Sequence, residues 1–469
     1  MSVLTTHGYA VLKSSLTSEK EAKIRKDLTV KPVTQARFAA MADTDFPVFL
    51  ESATRLYLPR MWAKDVLGPA DSSVMSDGVR LPAALNFIGK PYEYQENIIK
   101  KFLDADANGL ICVPCGKGKT FMALAIAFRL GVRFMVVVDK EFLLDQWAGE
   151  MRNLLPGIRI GRFQAAKAEV DPAEYDCTIC MIQTIVQRQI PESMLRSYGF
   201  TIFDECHHLG AKHFSKVLSK LQTKHMLGLS ATPTRDDGLT KVFEWHLGTP
   251  VYWEKRREAD ETVNVEMLRF KCDDIEYTDV PTNFRGEVIL ARLLSQVVAC
   301  QKRNQFIADK LKELIKEPAR RILVLSERIG HLEMLESLMK ATGCVMGYYI
   351  GGMKTATREL AAENAQILWA SYAMASEAMN IKTLNCVLMA SPRKKIEQST
   401  GRILRQRPEE RKLAPVILDI VDVHPTYGRQ ARERIAYYKK CGYNIIDEEA
   451  ERWSKKKDEV VEYAFVDED

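Results

Sequence analysis

The sequence predicts an α/β protein: two parallel-sheet domains behind a small N-terminal accessory domain. Three observations point there. From Leu81 onward, short apolar runs alternate with amphipathic stretches; the rhythm breaks over a polar segment at 250–285; and it then restarts for a second unit of similar size. The chain has 469 residues, more than one ordinary hydrophobic core organises. Its 46% apolar and 28% charged content is that of a globular chain, which excludes the disordered class.

Taken in order, residues 1–78 carry no strong α/β rhythm and end in the turn-rich "LGPADSSVMSDG", a domain boundary. Residues 79–250 form the first α/β domain. Strands are predicted at 109–113, 133–138, 177–182, 200–205 and 225–231, with helices at 120–131 and 140–155. Residues 251–285 read as a linker. The second domain, 286–446, opens with one long helix over 287–316. Strands follow at 321–326, 345–350, 365–371, 385–391 and 415–422, and residues 447–469 form an acidic tail.

The net charge of +5 says less than its distribution. Lysines and arginines crowd the first 64 residues and 402–440, which suits a polyanion partner and equally suits solvated helix faces. The apolar runs are too short to span a bilayer, and the N-terminus lacks a basic segment followed by an apolar core, so no membrane partner or secretory signal is expected. A reducing intracellular location follows, with the ten cysteines as free thiols.

The chemistry begins at Cys112–Thr120, "CVPCGKGKT". Gly116, Lys117, Gly118, Lys119 and Thr120 stand between a predicted buried strand and a helix. There, glycines let backbone N–H groups curl around phosphate oxygens, and the helix offers its positive end. Lys119 suits β- and γ-phosphates and Thr120 suits Mg²⁺, although the first glycine of the full GxxxxGK[ST] pattern is replaced by Val113. A second strand, "FTIFDE", ends in Asp204 and Glu205. One carboxylate can hold Mg²⁺ through water while the next polarises the attacking water. Together the two motifs point to ATP with Mg²⁺ as cofactors.

"GKGKT", "DECH", "LSATPTR" and "QSTGRILRQ", in that order, resemble the motifs of superfamily-2 helicases over roughly residues 85–425. Within them the chain is similar to the XPB-type branch and its phage and DNA-virus relatives, including recombination helicases of the UvsW kind and poxvirus-type transcript-release helicases. The resemblance implies two RecA-like domains closing on ATP. Gln95 in "KPYEYQ" would read adenine. His207, Ser230 and Thr232 would couple nucleotide state to strand movement. Gln398, Arg402 and Arg405 would reach the γ-phosphate from the second domain, completing a catalytic set with Lys119, Asp204 and Glu205. Where the family carries EGxD, this chain has Glu377, Ala378, Met379 and Asn380, so coupling there involves an amide instead of a carboxylate. "RDDG" at 235–238 is similar to, but not identical with, the Arg-Glu-Asp element of that branch.

A translocating motor grips the phosphate backbone. Arg162, Gln183, Thr184, Gly352 and Ser371, all near predicted strand ends, are the candidate contacts. Trp147 reads as helix core, and "RLYLPR" at 55–60 as either a stacking element or a strand packed on the motor. Cys112-x-x-Cys115 and Cys177-x-x-Cys180 have zinc-like spacing, but both lie in or beside apolar strands, and thiolates at the first would compete with nucleotide. The same argument sets aside Cys206, His207, His208 and His213. The expected function is an ATP-dependent helicase or translocase acting on forked or branched DNA in replication, recombination or repair, with 3′→5′ tracking implied by the resemblance. The alternatives are a transcription-associated helicase and a nucleotide-gated binder with little turnover. The expected location is a bacterial host's cytoplasm or a viral replication site inside a cell.

Overall fold

A computed structural model describes residues 1–33, 45–114, 116–235, 237–254, 259–377, 379, 381, 383–396, 400 and 411–447. The chain divides into two compact units on either side of residues 255–256. In the first unit the strands lie in the spatial order Lys167–Ala168, Ile160–Gln164, Cys177–Met181, Phe134–Val138, Phe200–Phe203, His225–Ser230, Asn108–Cys112 and Pro250–Trp253. All neighbours are parallel except the first pair.

The pattern of apolar residues explains the layering. Along Phe134–Val138 every residue is buried, with Phe134, Val136 and Val138 facing one core and Met135 and Val137 the other. Strands covered on both faces need such continuous apolar runs, and helices supply the cover. One of them, Lys119–Leu130, buries Met122 through Ala127 and stops at Gly131, which takes the left-handed conformation at φ 63°.

The second unit holds a seven-stranded parallel sheet, ordered Met346–Tyr349, Ile367–Ser371, Ile322–Ser326, Cys386–Met389, Val416–Asp422, Asn264–Phe270 and Asn444–Ile446. Arg303 and Asp422, both fully buried, pair through two contacts of 2.7 and 3.0 Å, and Tyr277 donates to the same carboxylate at 2.9 Å. Arg434 and Asp419 form a second buried pair, at 2.7 Å.

Three differences from the sequence reading have physical causes. Residues 1–78 form a small sheet, ordered Leu50–Glu51, Arg55–Leu58, Gly8–Leu12, Ser2–Thr5 and Ser72–Ser73, whose strands of two to five residues are too short to display a period. The 251–285 stretch contributes Pro250–Trp253 to the first sheet's edge and Asn264–Phe270 to the second sheet. In "NVEMLRF", the buried Val265 and Met267 alternate with the half-buried Asn264, Glu266 and Leu268, a strand signal hidden in a charged context. The long helix over 287–316 is two helices, Leu290–Ala299 and Gln301–Leu314, broken at Cys300. Its ψ of 113° leaves the helical region, and the Asn304 side-chain amide donates to the Val298 carbonyl across the break.

Several of the basic N-terminal residues are paired. Arg25 bonds Glu21 and Glu51 at 2.8 Å each, Lys13 bonds Glu51, and Lys23 bonds Asp27. In "RLYLPR" the strand Arg55–Leu58 buries Leu56 and Leu58, and Arg60, which opens the next helix, is buried against the first α/β domain, donating to the carbonyls of Thr223 at 2.8 Å and His246 at 3.2 Å.

Candidate nucleotide site and nucleic-acid edge

Asn108–Cys112, His225–Ser230 and Phe200–Phe203 are neighbours in the first sheet and run parallel, so their carboxyl ends lie side by side. From those ends emerge the Gly-Lys loop, the Ser-Ala-Thr segment and the Asp-Glu pair. Sheets of this kind present ligand sites at such ends.

The loop is shaped for a group that approaches backbone closely. Gly116 has φ 89° with open space where a Cβ would point, and Gly118 has φ 79°. A Cβ on Gly118 would sit 2.5 Å from the Gln95 amide nitrogen and would be strained by the positive φ, which favours glycine there. Gly118 also caps the twelve-residue helix Lys119–Leu130, whose first N–H groups and dipole favour an anion there. Gln95, expected to read a base edge, is buried and has two protein partners. Its amide nitrogen donates to the Lys117 carbonyl at 3.2 Å, and its oxygen accepts from the Tyr92 N–H at 3.0 Å. Tyr94 donates to the same Lys117 carbonyl at 3.1 Å and stacks on Tyr92 with ring centroids 5.9 Å apart. Lys117 pairs with Glu254 at 3.6 Å.

The Lys119 ammonium stands 3.8 Å from Glu205. The other Glu205 oxygen lies 3.4 Å from His207 Nδ1, which is 3.0 Å from the Ser230 hydroxyl, and that oxygen accepts the Thr232 N–H at 3.1 Å. One chain of polar contacts therefore joins the phosphate loop to the Ser-Ala-Thr segment. Burial lowers the His207 pKa to about 4, against the pull of Glu205, so the ring is neutral at physiological pH. Glu205 sits at φ 43°, ψ 51°, the left-handed region, a conformation costing a non-glycine residue about 1–3 kcal/mol. The turn after the strand thus holds this carboxylate under strain.

Burial, reinforced by the Glu205 charge, raises the Asp204 carboxyl well above the usual range, to about 6. Trp147 opposes that shift by donating its indole N–H to Asp204 at 2.8 Å. Trp147 packs in the helix core as expected, but its polar edge also orients a site carboxylate, a role that helical spacing alone does not reveal. Arg235 is a second residue of this kind. It donates to the His207 carbonyl at 2.5 Å and pairs with Asp237, tying the segment after Ser-Ala-Thr to the Asp-Glu turn. Thr120 and Asp204 offer the hard oxygen donors that suit Mg²⁺, and a cation beside Asp204 would offset the burial that favours its protonated form.

The nucleic-acid candidates fall at two strand-end edges, one in each unit. In the first unit, Arg162 lies in Ile160–Gln164, and its side chain pairs with Asp145 at 2.6 Å. Gln183 and Thr184 open the helix Ile182–Gln187. Gln183 donates to the Asp139 carbonyl at 2.9 Å, and the buried Thr184 hydroxyl accepts from the Ala165 N–H at 3.0 Å. In the second unit, Gly352 (φ 82°, open space around it) follows Met346–Tyr349, and Ser371 ends the adjacent strand Ile367–Ser371. Glu377 ends the helix Tyr372–Glu377. Asn380, Gln398, Arg402 and Arg405 lie outside the described residues.

Cys177 and Cys180 are three positions apart in one strand and face opposite cores, so their thiols cannot converge on one ion. Burial raises both, together with Cys206, well above the usual thiol range, and Cys112 to about 12. Cys115 lies outside the described residues. No helix among the described residues is long and apolar enough to cross a membrane.

Residues 88–235 match the family model described as the type III restriction enzyme res subunit. A protein of Acanthamoeba polyphaga mimivirus, named as an ATP-dependent RNA helicase, is 30% identical over 456 residues, covering 94% of this chain and 86% of its own length. A protein of African swine fever virus with the same kind of name is 28% identical over 388 residues, covering 76% of this chain and 74% of its own. One from Escherichia phage T5, named as a helicase, is 26% identical over 362 residues, covering 75% and 76%. Among solved structures, T4 UvsW aligns over 92% of this chain and 95% of its own, at 18% identity and a TM-score of 0.36.

Proposed function

This chain belongs to the ATP-dependent helicase family of its mimivirus relative, and from the resemblance of its motifs to the XPB-type branch we propose that it is a DNA translocase, coupling ATP hydrolysis to unwinding or branch migration of forked or branched DNA. The observation that carries a coupled motor is the contact chain Lys119, Glu205, His207, Ser230, Thr232. A carboxylate placed to orient water beside a γ-phosphate lies 3.4 Å from a neutral imidazole, which in turn hydrogen-bonds a segment leading away from the site. Loss of the γ-phosphate removes the partner of Lys119, and that change is felt along the chain.

In this reading the Gly116–Gly118 backbone and the helix N-terminus bind the phosphates, and Lys119 neutralises their charge. Thr120 and Asp204 would hold Mg²⁺, which would help neutralise the phosphate charge that develops during hydrolysis. Glu205 orients and deprotonates the attacking water. Arg402 and Arg405, with Gln398, would supply the second unit's contribution to the γ-phosphate, and Glu377 and Asn380 would report on it. Arg162, Gln183, Thr184, Gly352 and Ser371 would track the nucleic-acid backbone. The XPB-type resemblance of the motifs supports DNA as the track and 3′→5′ polarity; the viral and phage relatives support action inside an infected cell. A second reading, RNA as the track, is favoured by the names of the mimivirus and African swine fever virus relatives.

The test is ATP hydrolysis by the intact protein alone and with single-stranded, forked and four-way DNA or an RNA duplex. Forked or four-way DNA should stimulate turnover most. Lys119→Ala should abolish it, and Glu205→Gln should keep nucleotide binding while losing at least about a hundredfold in rate. Stimulation by RNA alone would select the second reading, and a rate indifferent to every nucleic acid would sink both.

A further inference from the structure

Cys272, Asp274 and Cys300 belong to the second unit, whereas both motifs that would hold nucleotide belong to the first. One donor atom from each lies within 4.8 Å of the other two, and all three residues are half-buried. We propose that this triad is a binding site for a thiophilic divalent cation of the zinc class, clamping the strand Asn264–Phe270 to the junction between the helices Leu290–Ala299 and Gln301–Leu314.

The elements that carry the donors are held independently of any ion. Cys272 and Asp274 sit in the short turn between Asn264–Phe270 and the helix Ile275–Thr278. Tyr277, on that helix, donates to the Phe270 carbonyl at 3.3 Å and to the buried Asp422 at 2.9 Å, and its ring packs edge-on against Phe270. Gln296, on the helix before the break, donates to the carbonyls of Tyr277 and Asp279. Cys300 occupies the break itself, where its carbonyl accepts the Asn304 N–H at 3.0 Å. Cys272 and Cys300 both pack against the second unit's core, which fixes their sulfurs from the apolar side. Two donor-bearing turns are therefore brought face to face by a scaffold of strands, helices and a buried carboxylate.

The donor chemistry selects the ion. Two sulfurs and one carboxylate suit Zn²⁺ or a close analogue, whereas Mg²⁺ demands oxygen donors. Two thiolates and a carboxylate exceed a divalent cation by one negative charge, and Lys302, 2.6 Å from Asp274, supplies the balance. It also orients the carboxylate, as outer partners of metal ligands do. Three protein donors leave one tetrahedral position, and the half-exposure of the site allows water to fill it. Each thiol must shed its proton to bind a cation, so affinity should rise with pH.

The full chain, kept reduced and stripped with chelator, is titrated with Co²⁺ alone and then with Zn²⁺. One equivalent of Co²⁺ should develop thiolate-to-metal charge-transfer and tetrahedral d–d absorption, bleached by Zn²⁺, with about two protons released. Cys272→Ser and Cys300→Ser should each remove the charge-transfer signal, and Asp274→Asn should weaken binding by more than about tenfold. Zn²⁺ should raise the thermal midpoint of the wild type and leave that of the cysteine variants unmoved. Circular dichroism and basal ATPase, for which none of these residues is needed, show that each variant is folded. An absent charge-transfer band in the reduced chain, or a band that survives in Cys272→Ser, would each overturn the site.

Discussion

At the residue scale, the site's character comes from placing charge where water is excluded. Asp204 and Glu205 are consecutive, yet burial and their mutual repulsion raise Asp204 while a left-handed backbone swings Glu205 toward Lys119 and His207. The Trp147 indole holds Asp204 in its ionised form more strongly than burial alone would allow. Trp147→Phe keeps the helix packing and removes that donor. A hydrogen bond to a charged group contributes about 1.5–3 kcal/mol, so Asp204 should rise by at least about one pH unit. The acid limb of the ATPase pH profile should shift upward by that amount, with little change in thermal midpoint. An unmoved limb would show that Trp147 is packing alone.

At the scale of elements, buried polar anchors decide how pieces join. The N-terminal region is tied to the first α/β domain by the buried Arg60, which donates to the carbonyls of Thr223 and His246 and whose pKa burial lowers to about 10. In the second unit, Arg303 and Asp422 join the strand Val416–Asp422 to the helix Gln301–Leu314 with no exposure to solvent. Such a pair adds little net stability over an apolar replacement, but breaking it strands a charge. Asp422→Asn should therefore cost about 3–5 kcal/mol, read as a lower denaturant midpoint. A double replacement of Arg303 and Asp422 by apolar residues of similar volume should recover most of that loss, and failure to recover any would refute the stranded-charge account.

At the scale of the whole molecule, stability should respond to acid through groups that pull in opposite directions. His207, lowered to about 4, and His246 and His331, each lowered to about 3, are held neutral by burial. The unfolded chain binds their protons more readily, so stability should climb as pH rises from about 4 to 6.5. Asp204 is raised, so the folded state binds its proton more tightly, and its contribution is lost as pH rises from 3.8 to about 6. Asp204→Asn should thus steepen the rise of thermal midpoint with pH between 4 and 6.5, and a flatter curve than wild type would contradict the sign. Much of this molecule was legible in its residues. "FMVVV", "FTIF" and "ILVLS" are fully buried strands because only apolar runs can occupy the middle of a sheet covered on both faces, and Gly116 and Gly118 take the positive φ that a tight turn into the helix Lys119–Leu130 requires. Short or charged strands, such as Ser2–Thr5 and Asn264–Phe270, were not legible, since their burial depends on neighbours far along the chain. Local patterning by itself determined the class of elements and the chemistry each loop can carry. Only tertiary structure decided that the strands ending in Cys112, Ser230 and Phe203 are neighbours, that Trp147 meets Asp204, and that Cys272 meets Cys300. Periodicity records which face of an element is buried, whereas strand order and side-chain contact across long separations are settled by how all the buried faces pack at once.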